Sequence, residues 1–142
     1  MSPITHAQAM TILDATIKKG TEMGLNPLSV AVLDAGGHPI AFARTDGASP
    51  GRFEIARGKA YGAIMLGMPG SAQMARAESQ AYFMAAVNGA YSGKTIPVPG
   101  GILVKDAEGA VIGGVGVTGD SSDNDAIAGM AGIEAAGLSG AA

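Results

Sequence analysis

The sequence predicts an α/β (α+β) fold in which one mainly antiparallel sheet is covered by helices. Three observations carry this expectation. Apolar residues recur at helical spacing near the start and in later blocks. Between those blocks lie two segments that alternate residue by residue, each interrupted by a Gly-containing turn. The two turns also share a pattern, D-A-x-G-x-x-I, at Asp34–Ile40 and Asp106–Ile112. The element order is α-β-β-α-α-β-β-α, and two hairpins joined by helices form one sheet with helical cover.

Each element has a local reason. Thr5-His6-Ala7-Gln8 is a capping box, and Ala9, Ile12, Leu13, Thr16, Ile17 and Met23 follow on one helical face. Gly24 ends this helix, which spans about 6–23. In 28–44, Val30, Val32 and Asp34 alternate with Ala31 and Leu33, the Asp34–Gly37 stretch supplies a turn, and Ile40, Phe42 and Arg44 resume the alternation. After the Thr45–Gly51 loop, Ser49 as N-cap and Pro50 as first helical residue open a helix that runs to about Gly67. Met68-Pro69-Gly70 breaks it. Ser71 then caps a helix over about 72–90, apolar on nearly all sides from Ala81 to Val87 and so expected to be buried on more than one face. Thr95–Gly101 is extended. Residues 102–119 form the second hairpin, turning at Ala107-Glu108-Gly109. A last helix spans about 123–138, with Ser122 or Asp123 accepting its free N–H groups.

Composition narrows the function classes. The 142 residues make one domain, and 47% hydrophobic with 15% charged residues is too apolar for disorder. The net charge of -3 comes without a Lys/Arg cluster, which argues against a nucleic-acid partner. There is no cysteine, hence no disulfide and no thiolate metal site. The first ten residues lack signal-peptide character, and no stretch of 18 uninterrupted apolar residues is present, so a cytoplasmic protein with no membrane partner is expected. The 23 glycines, many alanines and sparse charge point to a homo-oligomer.

The stretch GGVGVTGDSSDND, residues 113–125, invites three readings. A dinucleotide loop needs a following helix and parallel strand, and only 23 residues remain after Gly119. A calcium loop starting at Asp120 needs Gly at its sixth position and Glu at its twelfth, where Asp125 and Ala131 stand. A P-loop needs Gly-Lys-Ser/Thr, which is absent. The glycines are therefore structural: they leave one strand face bare, so that a backbone, a helix or a flat ligand can lie close.

VAVLDAGGHPIAFARTDGA, EIARGKAYGA and PVPGGILVKDAEGAVIGGVGVTGDSSDNDAIAGMAG together resemble the GlcG/HbpS family, which includes haem-binding HbpS-like proteins and the C-terminal domain of PduO-type cobalamin proteins. The resemblance covers nearly the whole chain. It implies a profilin-like fold with about five antiparallel strands flanked by helices, and homo-oligomers. It also implies binding of a small ligand, haem or a corrinoid.

Two functions follow from the residues. As a ligand-binding protein, the chain offers His38 or His6 as an iron ligand, with Tyr61, Tyr82, Tyr91 and methionines as weaker candidates. Gly100 and Gly101 offer backbone N–H groups to an anion. The alternative is a cofactor-independent enzyme, an isomerase, tautomerase or retro-aldol-type lyase, acting by proton abstraction on a small carbonyl or aromatic catabolite. Lys59 or Asp46 would be the base, with Glu54 a further proton carrier. Arg44, Arg57 and the Gly100–Gly101 amides would stabilise the oxyanion. Glu54 and Arg57 also have the spacing of a surface ion pair. No metal site is predicted, because two distant histidines lack a third ligand.

Overall fold

The computed structural model describes residues 2–142. Thr5 caps helix α1 (His6–Glu22): Gln8 N–H donates to Thr5 Oγ1 and Thr5 N–H donates to Gln8 Oε1, each at 3.0 Å. The expected hairpin follows as β1 (Ser29–Asp34) and β2 (Pro39–Arg44). Helix α2 (Arg52–Leu66) starts later than expected. Gly51 precedes it without a side-chain cap, and Ser49 Oγ instead accepts from the Arg52 guanidinium at 3.1 Å. Gly67 ends α2 with φ 62°, as expected.

The helix expected over 72–90 is two helices, α3 (Gly70–Ser79) and α4 (Ala81–Ala90). Gln80 divides them: its N–H closes α3 on Arg76 O while its carbonyl opens α4 by accepting from Phe83 N–H. Ser71 lies inside α3 and caps nothing. The second hairpin is β3 (Gly101–Lys105) and β4 (Val111–Thr118). Ser121, rather than Ser122 or Asp123, caps α5 (Ser122–Ala135), accepting from Asn124 N–H at 3.2 Å. That helix stops short of 138 because Gly137 turns left-handed at φ 77°. The last residues then form a strand absent from the expected order, β5 (Ser139–Ala141), paired to β3. Three residues are too few to show alternation in a sequence.

The sheet order is β2-β1-β4-β3-β5, antiparallel throughout. Because β1 and β3 both run antiparallel to β4, the two hairpin turns lie at the same end of the sheet. They are one turn built twice. Asp34 Oδ1 accepts from Gly36 and His38 N–H, both at 2.9 Å. Asp106 Oδ1 accepts from Glu108 and Ala110 N–H at 3.0 and 2.9 Å. Gly37 and Gly109 take φ 84° and 82° at matching positions, which is why the fourth residue of the motif is glycine.

Helices α1 and α5 cover one face around Ile12, Leu13, Val30, Val32, Val115, Val117 and Ile133. Helix α2 covers the other. There the glycines of β4 meet backbone: a Cβ on Gly116 would lie 1.8 Å from Ala56 O, and one on Gly114 3.2 Å from Ala60 O. The bare strand face therefore receives a helix, not a flat ligand. Helix α4 departs from its expected burial. Only Met84 and Val87 are buried, while Tyr82 is 75% exposed and Phe83, Ala85 and Ala86 face out. No helix among the described residues is long and apolar enough to cross a membrane.

Candidate functional site

Two places gather the chemistry. The first is at the β3-start, β4-finish end of the sheet. The inner face of α2 is made of Ala56, Ala60 and Ala63 with Gly62, and Lys59 interrupts it. Lys59 is only 3% exposed, and its Nζ donates to Val117 O at 2.9 Å and to Asp125 Oδ2 at 3.2 Å. Asp125 is 1% exposed, and its Oδ1 accepts from Asp120 N–H at 3.0 Å. The pair thus ties α2, β4 and the first turn of α5 together. Burial pushes the Lys59 ammonium below its ordinary pKa against the opposing pull of Asp125, and the charge of Arg52 adds to the lowering. Burial likewise pushes the Asp125 carboxyl up, although Asp120 N–H and Lys59 both favour its charged form. Beside the pair, Arg52 Nη1 donates to Thr118 Oγ1 at 2.7 Å. Asp120 accepts from Asn124 Nδ2 and from Asn26 N–H, which hold its carboxyl below the usual range.

The structure brings Lys59, Gly100 and Gly101 together. A Cβ on Gly100 would lie 3.0 Å from Lys59 Nζ, and one on Gly101 2.4 Å from Lys59 O. Both glycines are buried beneath the lysine. The other members of the expected constellation lie apart from this pair. Arg44 and Asp46 are exposed at the exit of β2, where Asp46 lines a cleft of about 340 Å³ with Ile17, Thr21, Leu25 and Asn26. Glu54 is exposed and does not pair with Arg57, because Arg57 turns onto the Phe53 ring, 5.6 Å from its centroid. Lys59–Asp125 is the only ion pair within 4.0 Å among the described residues. Sequence reasoning missed Asp125 because it read the acidic run as a helix cap. One signal was there: Asp125 is in helical phase with Ala128 and Gly132 on the buried face of α5.

The second place is the hairpin end. Exposed His38 closes the first turn, and its ring folds back toward Gly36, where a Cβ would stand 3.1 Å from His38 Cδ2. Gly36 lines a cleft of about 360 Å³ with Pro3, Asp34, Ala35 and Ile112. Exposed His6 stands three residues from Pro3, and Ile4 between them packs on Gly113, the β4 partner of Asp34. The fold thus carries both histidines, 32 positions apart in sequence, toward one end of the sheet. On the α2 side of the same turn, Gly37 touches the side chains of Tyr61 and Met65. Tyr91 stands edge-on to Tyr61 at 6.1 Å, whereas Tyr82 is out on α4. Among the described residues no three His, Asp or Glu side chains are placed to hold a metal ion.

A family model described as haem degrading protein HbpS-like matches residues 4–134. The chain belongs to the HbpS-like family. Its fold matches the crystal structure of HbpS with a TM-score of 0.80 and 27% identity, over 94% of this chain and 90% of that one. It matches a PduOC:heme complex with a TM-score of 0.83 and 21% identity, over 94% and 95% of the two chains. The protein ORFY of Klebsiella pneumoniae matches with a TM-score of 0.83 and 24% identity, over 96% and 93%. No curated protein sequence matches. The HbpS-like architecture therefore includes the five strands and the helical cover that the resemblance implied.

Proposed function

We propose that this HbpS-like chain binds haem at the hairpin end of the sheet, with His38 as iron ligand. The observation that carries this is the position of His38: an exposed imidazole folded toward Gly36, which itself lines a cleft with Pro3, Ala35 and Ile112. These residues fit the group, since haem needs a basic nitrogen beside an apolar surface. Asp34 fixes the turn through two backbone bonds, Gly36 leaves room for the ring, and Pro39 stiffens the exit. His6 is the second candidate ligand. Bound haem would supply iron-centred redox chemistry and a Soret band. The family description and the haem held by the related PduOC support haem as the ligand. Haemin titration of the native protein, His38→Ala and His6→Ala tests it: a saturable, stoichiometric Soret shift lost in one variant is expected.

The enzyme alternative rests on one observation, the buried Lys59 with a lowered pKa beside Gly100. A lysine depressed by burial is a better base at neutral pH. Such a role requires the Asp125 contact to open toward a substrate. Lys59→Arg, which keeps the charge but loses the base, would abolish turnover of small enolisable acids by protein that circular dichroism shows to be folded.

The expected homo-oligomer finds its support in α4. The stretch Gln80–Gly93 carries no charge, yet Tyr82, Ala85 and Ala86 are exposed, as a face covered by another copy would be. Tyr82→Glu should lower the sedimenting mass.

A further inference from the structure

The outer row of α2 holds a group that neither the Lys59–Asp125 pair nor the His38 cleft uses. Phe53, Arg57, Tyr61 and Met65 follow at intervals of four, so they share one helix face. Phe42 packs edge-on against Phe53 at 4.9 Å, and the Arg57 guanidinium lies over the Phe53 ring. One turn on, Lys94 Nζ stands 5.9 Å from the centre of the Tyr61 ring, whose flank is Tyr91. The Lys94–Ile96 segment runs directly beside Arg57: Ile96 N–H donates to Gly58 O at 3.2 Å, and a Cβ on Gly58 would meet Lys94 O at the same distance.

Both cations lack an anion. Among the described residues no carboxylate lies within 4.0 Å of Arg57 or Lys94, including exposed Glu54 one turn earlier. Arg57 Nε is moreover buried and has no hydrogen-bond acceptor at all. A buried guanidinium N–H without an acceptor is costly, and native chains rarely leave one so. An incoming carboxylate would meet the two Nη groups of this half-buried guanidinium in the bidentate geometry arginine favours. Aromatic edges and faces on both sides suit a flat, conjugated body.

We infer that the Arg57–Tyr61–Lys94 face of α2 binds the carboxylate of a planar, conjugated anion. Arg57 and Tyr61 stand on α2 and Lys94 on the segment after α4, across the sheet from the core that Ile112 joins. The two cations of this face take no part in the proposed iron ligation by His38, although Tyr61 also packs on Gly37 of the His38 turn. Two sources carry this chemistry: a free aromatic carboxylic acid and the propionate groups of a porphyrin.

Fluorescence titration with naphthalene carboxylate and its methyl ester tests the site, with haemin and haemin dimethyl ester as the second arm. The native protein should bind the naphthalene acid saturably and at least about tenfold tighter than the ester, the scale of one charge-assisted contact. Arg57→Gln and Lys94→Gln should each remove most of that preference, and His38→Ala should leave it unchanged. Lys94 is exposed, so its substitution leaves the fold alone. If the two variants also weaken haemin but not its diester, the carboxylates are propionates. If haemin is untouched, the site serves free acids. No saturable binding of the naphthalene acid, equal binding of acid and ester, or a preference that survives both variants overturns the inference.

Discussion

Lys59→Met tests what the buried pair does for the fold. The change keeps the length of the side chain and removes the ammonium that donates to Val117 O and Asp125. Asp125, 1% exposed, is then left with Asp120 N–H as its only bonded partner of the pair of contacts it now has. Stranding one member of a buried pair costs about 3–5 kcal/mol, which for a chain of this size lowers Tm by roughly 10–15 °C. The pH dependence gives the mechanism away. The folded-state pKa of Asp125 is already raised by burial, and losing the ammonium raises it further. An acid whose pKa is higher folded than unfolded gains stability on acidification, so Lys59→Met should recover as pH falls from that raised value toward about 4. Asp125→Asn strands the lysine instead, whose folded pKa is depressed. That variant should regain stability as pH rises toward about 10.4, the ordinary lysine value. The double variant should cost less than the two single costs added together. Urea denaturation at several pH values measures all of this. Single costs below about 1 kcal/mol, or pH slopes of the same sign in both single variants, would refute the buried-pair account.

Three further outcomes follow from the packing. Gly116→Ala should destabilise by about 1–3 kcal/mol or more in urea denaturation, since its Cβ would stand 1.8 Å from Ala56 O; a neutral effect would mean that α2 is not seated on β4. Asp34→Ala and Asp106→Ala each remove an oxygen that accepts two backbone N–H groups, so each should cost about 1–3 kcal/mol. Two such identical turns should lose similar amounts, and a large inequality would mark one of them as differently loaded. Thr5→Ala should lower stability by about 1 kcal/mol through the capping box, as read by thermal melting.

Much of the fold was legible because its determinants are local. The Thr5–Gln8 box, the Asp-Ala-x-Gly turns and Gly67 each act within a few residues. The split at Gln80 was hidden because nothing in 72–90 is a strong breaker, and β5 because its pairing with β3 is purely tertiary. The composition of α4 reported an apolar helix but not what covers it. The site was legible in its members and not in its partnerships. Lys59 stood out as a charge on an apolar helix, yet its partner Asp125 lies 66 positions away. Arg44, Asp46 and Glu54 seemed to belong with it only because they are near in sequence; the strand direction and the α2 face separate them. His6 and His38 looked unrelated until the sheet carried them toward one end.

The central claim is that haem binds at the hairpin end through His38. The most direct measurement is the Soret spectrum of the native protein and His38→Ala during haemin titration at equal protein concentration. A one-to-one shift in the native protein that is lost or displaced in His38→Ala is the predicted result. An identical saturable shift in both proteins, or only weak non-saturating changes in the native one, would contradict it.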